Sequence, residues 1–326
     1  MLPTPPLAIA APSPVVELLG ITAEPAVAAV LAALVIIGVL IATRPLPTRG
    51  RADLSILRIG ALAVFIAITL EAGVAHLVVD LATMIEWWQY ALPLMGAALV
   101  VAALLVFVRS LPATPEVPTA PTARRDFATF ATAPNTWLPV LAGAVLLITI
   151  VVAGLASSAN EQGQFVHLDV PVPNTDVDPM RPTFFGWAYG LPVLASLVIL
   201  AVVVVWMLQL DAARPFRKPE TAEVERNERT QRARGVLLLA SGAALLALGE
   251  AWRLIGHTAA MANPTIGDVP VSTGWGAPEI AGMIGSLAGI PTIAGCVLLG
   301  LLVLAPAGVI RRRAVLAPAA AAVTEA

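Results

Sequence analysis

Charged residues are scarce in this chain. They make up 12% of its 326 residues, against about 25% in an ordinary soluble domain, and 58% of the residues are hydrophobic. The deficit argues against a soluble globular protein, and apolar runs of about 20 residues indicate a polytopic membrane protein whose first partner is the lipid bilayer. The net charge is only −2, and we expect no nucleic-acid partner.

Cysteine and lysine are nearly absent. Cys296 is the one cysteine, which excludes an intramolecular disulfide. The one lysine, Lys218, lies in a predicted loop, so no retinal Schiff base can form in the last apolar run. All other basic residues are arginines, a codon bias typical of GC-rich bacterial genomes. No phosphate-cradling glycine loop is present, so an ATP-driven role would need a partner subunit.

Seven apolar runs are long enough to cross about 30 Å of hydrocarbon as α-helices, which predicts an all-α bundle of seven transmembrane helices. The predicted spans are Ala26–Thr43, Leu54–Leu81, Trp88–Val108, Trp137–Ala156, Phe185–Leu210, Gly235–Thr258 and Ile280–Ala305. They lie in a transmembrane domain over residues 26–310, and residues 1–25 and 311–326 are expected to be disordered. The first 20 residues contain no Lys or Arg, so we expect the first run to remain as a helix rather than to be cleaved as a signal peptide.

The basic residues predict the orientation. Seventeen of the nineteen fall on one side of the predicted membrane, sixteen in the segments after spans 1, 3, 5 and 7 and Arg58 just inside span 2, and the exceptions are Arg181 and Arg253. The positive-inside rule makes that side the cytoplasm, with the N-terminus outside and the C-terminus inside a bacterial plasma membrane. The cytoplasmic loops are then residues 110–135, a Pro-rich linker, and residues 211–234, a solvated helical extension into span 6. The long outer loop is 157–183.

A short phrase occurs twice and indicates an internal repeat. Trp88-Gln-Tyr-Ala-Leu-Pro93 and Trp187-Ala-Tyr-Gly-Leu-Pro192 match in register 99 residues apart, and Asp169-Val-Pro-Val172 recurs as Asp268-Val-Pro-Val271 at the same offset. This predicts three related hairpins, formed by spans 2–3, 4–5 and 6–7, with the same membrane orientation. The aromatic residues at the outer helix ends are interpreted as an interfacial collar, with stacking on a ligand as the alternative. They are Trp88, Tyr90, Trp187, Tyr189 and Trp275.

All three histidines are predicted near the outer surface. His76 precedes Asp80 by one helical turn, His167 lies in the long outer loop, and His257 ends span 6. If these side chains converge, they could hold Cu²⁺ or Zn²⁺, and two of them on facing helices could ligate a haem. No tight metal-binding spacing is present, so interfacial histidines without a cofactor are the simpler interpretation.

Ionisable residues inside the predicted spans mark the candidate site. Glu71 in span 2 and Glu250 in span 6 lie at similar depth in the outer half. Glu250, Arg253 and His257 share one helical face, so Glu250 and Arg253 can pair within their own helix. A carboxylate in hydrocarbon must be paired, protonated or hydrated, so both glutamates should face a polar cleft in the bundle. In span 7, Pro291 should bend the helix and leave one carbonyl unpaired, and Gly285 and Gly289 allow close packing.

These features predict a non-enzymatic membrane component that binds a small ligand or a partner protein at an outer cleft between spans 2 and 6. One alternative is a redox protein that handles a metal or haem through the outer histidines. Another is a proton-coupled secondary transporter that uses Glu71 and Glu250. No nucleophile–base pair indicates an enzyme.

Overall fold

The computed structural model is almost entirely helical. It describes residues 19–22, 25–43, 52–78, 86–111, 130, 133–172, 178–216, 218–261, 265–266, 269–270 and 276–304. The helices are α1 (Pro25–Thr43), α2 (Ala52–Val78), α3 (Trp88–Ser110), α4 (Ala133–Ala156), α5 (Trp187–Ala213), α6 (Ala222–His257), α7 (Ala277–Ser286) and α8 (Gly289–Leu304). Residues 19–22, within the segment predicted to be disordered, are also helical.

Five helices are long and apolar enough to cross a membrane. They are Trp88–Ser110, Asn135–Ala156, Trp187–Ala213, Ala222–His257 and the stretch Ala277–Leu304 that contains α7 and α8. One face of α4 presents apolar side chains outward, with Ile148, Val152 and Leu155 between 62% and 75% exposed. Such a continuous apolar surface is typical of contact with lipid. The prediction of an all-α membrane bundle is consistent with this architecture, with five candidate spans among the described residues.

Helix α6 lies at the centre of the bundle and contacts α2, α3, α4, α5, α7 and α8. In the most apolar 18-residue stretch of α6, 78% of the residues are buried, against 50% or less in the corresponding stretch of each of the other four candidate spans. Four glycines at seven-residue spacing, Gly235, Gly242, Gly249 and Gly256, lie along one face of α6. A Cβ at Gly256 would lie 2.5 Å from the Gly285 Cα, and one at Gly242 would lie 3.3 Å from the Gly295 carbonyl oxygen. These glycines therefore let α7 and α8 approach the α6 backbone.

The seventh predicted span is divided into α7 and α8. The break falls at Leu287 and Ala288, so Pro291 lies in the first turn of α8, where its missing N–H costs little. The prediction of an unpaired carbonyl is wrong. Pro291 has no N–H to donate to the carbonyl of Leu287, four residues earlier. That carbonyl instead accepts a hydrogen bond from Ile290 N–H at 3.0 Å. A tighter turn thus satisfies the carbonyl that the proline frees.

A small β-structured cap covers one end of the bundle. Strand β1 (Ser158–Ala159) pairs antiparallel with β2 (Phe165–His167), and β3 (Thr265–Ile266) pairs with β4 (Val269–Pro270). The chain after β2 folds back on itself, with Val170 and Met180 exchanging two backbone hydrogen bonds. Val166, Leu168 and Val170 are buried in the hydrophobic core. We call this end of the bundle the cap end and the opposite end, where α2 and α6 begin, the arginine end.

Candidate functional site

A buried ionic cluster joins three helices at the arginine end. Arg232 on α6 bonds to Asp53 at the start of α2, with its Nε and Nη2 lying 3.1 and 3.0 Å from Asp53 Oδ2. Its Nη1 lies 2.5 Å from Oδ1 of Asp211, at the end of α5. All three residues are at most 6% exposed. One guanidinium therefore bridges two buried carboxylates and stabilises their charged form.

Arg229, one turn before Arg232, binds the C-terminal end of α5. Its guanidinium donates to the main-chain carbonyls of Asp211, Arg214 and Pro215 at 2.6–3.2 Å. The same group lies 4.7 Å from the ring centroid of Phe216 and 5.8 Å from that of Phe130. A helix leaves its last carbonyls without intrahelical partners, and Arg229 supplies donors at this end.

Arg214 makes the equivalent contact with α3. Its Nη1 donates to the carbonyl oxygen of Val108 and its Nη2 to that of Leu111, at 2.8 Å for the second. Nearby, the Arg109 guanidinium lies 5.9 Å from the ring centroid of Trp206 on α5. The two helices that end here, α3 and α5, are thus capped by arginine side chains with planar, multi-donor geometry.

These groups surround a cavity of about 280 Å³. We call it the charged cavity. Its ionisable lining residues are Asp53, Asp211, Arg214, Glu225, Glu228, Arg229 and Arg232. The volume is near the lower limit of about 300 Å³ for ligand pockets, which suits a small molecule rather than a large cofactor. Among the described residues, therefore, this end of the bundle has both the space and the charges to bind a polar compound.

The prediction that residues 211–234 form a helical extension into span 6 is confirmed for Ala222 onward, since α6 is continuous to His257. The prediction that the extension is solvated is wrong for Arg229 and Arg232, which are each 6% exposed. Glu225 and Arg229, at i,i+4 spacing on α6, form an ion pair at 3.8 Å. Arg232 has the same spacing from Glu228 but binds Asp53 and Asp211, because those carboxylates come from neighbouring helix ends.

The Glu250–Arg253 ion pair predicted from the i,i+3 spacing is present on α6, between Arg253 Nη2 and Glu250 Oε2. The Glu250 side chain is 23% exposed and that of Arg253 is 33% exposed. His257, one turn further, is exposed at the C-terminus of α6. Glu71 lies on α2, but its side chain is outside the described set, so a cleft shared by Glu71 and Glu250 stays a prediction.

The tyrosines in the two copies of the repeated Trp-x-Tyr-x-Leu-Pro sequence are in contact. The ring centroids of Tyr90 and Tyr189 lie 5.2 Å apart in an edge-to-face arrangement, and Phe185 lies 5.4 Å from Tyr90. Both tyrosines are buried, at 6% and 8% exposure. Trp88 and Trp187 are half-buried at the first residues of α3 and α5. The phrase therefore packs the cap-end halves of α3 and α5 against each other, while Trp275 lies outside the described residues.

The candidate metal-binding residues are separated or only partly described. His167 is half-buried in the cap, with Nδ1 3.4 Å from the carbonyl oxygen of Pro182. His76 lies on α2 without a described side chain, and Asp80 is outside the described residues. In the part of the chain with described side chains, no group of three or more His, Cys, Asp or Glu residues could hold a metal ion.

Comparison with known proteins finds no relative of this chain. No protein-family model matches the chain, and searches of curated proteins and of solved structures find no similar protein. The class therefore rests on the molecule itself. The five apolar helices of spanning length among its described residues indicate a multi-pass α-helical membrane protein.

Proposed function

We propose that the chain is a seven-span protein of the bacterial plasma membrane, with its N-terminus outside and its C-terminus in the cytoplasm. Helices α1 and α2 overlap the first two predicted spans and support the count. The alternation of basic loops supports the orientation, which puts the arginine end in the cytoplasm and the cap end outside. Contact between Tyr90 and Tyr189 supports a repeat of helical hairpins, since it joins equivalent positions of the two phrases.

Its proposed role is that of a non-enzymatic membrane component that binds a small polar ligand. One observation carries this proposal, the charged cavity at the arginine end, which is lined by the buried residues Asp53, Asp211, Arg229 and Arg232. Burying four ionisable groups around open space is costly unless they are mutually paired or contact a polar occupant. The sequence alone favours a ligand site in an outer cleft, whereas the described cavity favours the cytoplasmic end.

Thermal stabilisation by ligands tests this role. The detergent-purified full chain should be melted with ethylamine, 1,4-diaminobutane, glycine, acetate and inorganic phosphate, each at matched ionic strength. A ligand that binds only the folded state raises the melting midpoint in a concentration-dependent way. At least one compound should do so, and the effect should shrink in Asp211→Asn while persisting in Glu223→Gln, an exposed α6 residue outside the cavity lining. No shift with any compound would overturn the proposal.

A second candidate is a proton-coupled secondary transporter. It is favoured by the position of two ionic groups on one central helix, with Arg232 near the arginine end and Glu250 about 27 Å further along α6 at 1.5 Å per residue. A carboxylate within a membrane span is a common proton site in transporters. In proteoliposomes, Glu250→Gln should abolish proton-linked uptake of the compound that binds, and Glu161→Gln in the cap should not. Unchanged uptake in Glu250→Gln would exclude this mechanism.

A further inference from the structure

Helices α3 and α5 each present a stripe of exposed apolar side chains. On α3 the stripe contains Leu99 and Val106, seven positions apart, and on α5 it contains Ile199, Val202 and Trp206, at successive spacings of three and four. Residues at these spacings lie on one face of a helix. All five are between 49% and 70% exposed, so no part of the chain covers them. The two stripes are therefore open to whatever surrounds the bundle.

Arg109 joins the two stripes at the arginine end. It follows Val106 by three residues and so lies on the same face of α3. Its guanidinium lies 5.9 Å from the ring centroid of Trp206. A side chain of the α3 stripe thus contacts one of the α5 stripe, which makes the stripes neighbours at this end. We call the two stripes together with Arg109 the α3–α5 surface.

The repeated phrase gives the relative depth of the two contact residues. Tyr90 and Tyr189 are in contact and lie at one level of two helices that run in the same direction. Arg109 follows the first tyrosine by 19 residues, and Trp206 follows the second by 17. At 1.5 Å per residue, the indole lies about 3 Å closer to the middle of the bundle than the guanidinium. Tryptophan at headgroup level, with an arginine reaching toward the water, is typical of a membrane interface.

Both contact residues have donors available for a ligand. In the part of the chain that the structure describes, the Arg109 guanidinium has no ion pair or hydrogen bond, and the indole N–H of Trp206 has no acceptor. The carbonyls of Val108 and Leu111, at the end of α3, are bound by Arg214 instead. A guanidinium matches the oxygens of a phosphate with two parallel N–H bonds, and the indole adds a third donor nearby.

We propose that Arg109 and Trp206 bind the phosphate of an anionic phospholipid whose acyl chain lies along the α3–α5 surface. The adjoining apolar stripes favour a lipid over a soluble phosphate, because they offer contact to a hydrocarbon chain and nothing to a free ion. A headgroup without an amine, such as that of phosphatidylglycerol, leaves a net negative charge for Arg109 to balance, whereas a zwitterionic headgroup carries its own cation. The inference is independent of the charged cavity and requires only that α3 and α5 span the membrane.

Quenching of Trp206 fluorescence by lipids with brominated acyl chains tests this site. The full chain is reconstituted in phosphatidylcholine vesicles that contain a minor fraction of phosphatidylglycerol, and either the phosphatidylglycerol or an equal amount of the phosphatidylcholine is brominated. The signal of Trp206 is the difference between each protein and its Trp206→Phe counterpart. Brominated phosphatidylglycerol should reach half-maximal quenching at a mole fraction about tenfold lower than brominated phosphatidylcholine, as expected for one charge-assisted hydrogen bond.

Arg109→Gln should remove this difference between the lipids. Because Arg109 is exposed, the substitution should leave the fold intact. The matched control is Arg226→Gln, an exposed arginine of α6 outside the α3–α5 surface, which should keep the difference. Equal quenching by both lipids in the wild type, or a preference that persists in Arg109→Gln, would overturn the proposal.

Two other outcomes would identify a different occupant and also overturn it. If neither brominated lipid quenches Trp206, protein covers the surface, as in contact with a second copy of the chain. If soluble glycerol phosphate abolishes the quenching by brominated phosphatidylglycerol at an equal phosphate concentration, the site recognises phosphate without an acyl chain.

Discussion

Arg232 on α6 bonds to Asp211 at the end of α5, with Nη1 and Oδ1 2.5 Å apart and both side chains less than one-tenth exposed. The same guanidinium reaches Asp53 at the start of α2. Two helix ends that are far apart in the chain are therefore joined to α6 through one cation. Because the charges are buried, their loss should affect stability far more than the loss of an exposed pair would.

Replacing Arg232 by Met should destabilise the bundle. The variant removes the buried cation that bridges Asp53 and Asp211, and breaking a buried ion pair in this way typically costs about 3–5 kcal/mol. The melting midpoint in detergent, followed by tryptophan fluorescence, should fall clearly, while Arg226→Met, an exposed arginine on the same helix, should melt near the wild type. Equal midpoints for the two variants would contradict the role of the cluster.

Removing all three charges should recover much of that loss. Asp53→Asn, Asp211→Asn and Arg232→Met together remove the three charges of this cluster, and such replacements of buried ionic groups are often neutral or stabilising. The triple variant should melt above Arg232→Met in the same assay. A triple variant that melts below the single variant would show that Asp53 and Asp211 stabilise the bundle through contacts other than the ion pairs.

Because α6 and α7 approach each other closely, the loss of stability on replacing a glycine by alanine should depend strongly on which glycine is replaced. Gly256→Ala would bring a Cβ within 2.5 Å of the Gly285 Cα, and backbone cannot move aside as a side chain can. Overpacking of this kind costs about 1–3 kcal/mol. Gly38→Ala on α1 is the matched control, because no atom lies within 4 Å of the added Cβ. The melting midpoint should fall for Gly256→Ala only; a comparable decrease in both variants would argue against close helix contact.

Packing of the repeated phrase can be tested at Tyr189. Tyr189→Phe keeps the ring that packs against Tyr90 and Phe185, so we expect near-wild-type stability. Tyr189→Ala removes the ring from a buried site and should cost about 3–5 kcal/mol. Both variants are compared by thermal melting. If the alanine variant were as stable as the phenylalanine variant, aromatic contact between the two copies would not stabilise the bundle.

The helices could be predicted from the sequence because hydrophobic run length alone determines where a chain can cross a bilayer. The start of α3 at Trp88 and the end of α4 at Ala156 coincide with the predicted bounds. The Glu250–Arg253 pair was also predictable, since both residues lie on one helix and their spacing fixes their geometry. Local relationships of this kind need no knowledge of the tertiary fold.

The charged cavity could not be predicted in this way because its residues come from four separate helices, α2, α3, α5 and α6. Asp53 and Asp211 each lie one residue outside a predicted span, on the basic side of the membrane. An acidic residue at each of these two span ends was the available signal. Its meaning depends on the start of α2, the end of α5 and Arg232 of α6 lying together, which spacing along the chain does not encode.

Membrane orientation gives the last prediction, because it decides from which side a ligand reaches the charged cavity. In a Cys296→Ala background, single cysteines can be placed at the exposed positions Glu161, in the cap, and Glu220, before α6. Thiolates react with maleimide reagents in water, and a membrane-impermeant maleimide reaches only the outer face of intact cells. The cysteine at position 161 should be labelled in intact cells, and the one at position 220 only after permeabilisation. The opposite pattern would put the arginine end outside, and the cavity would then take its ligand from the external medium.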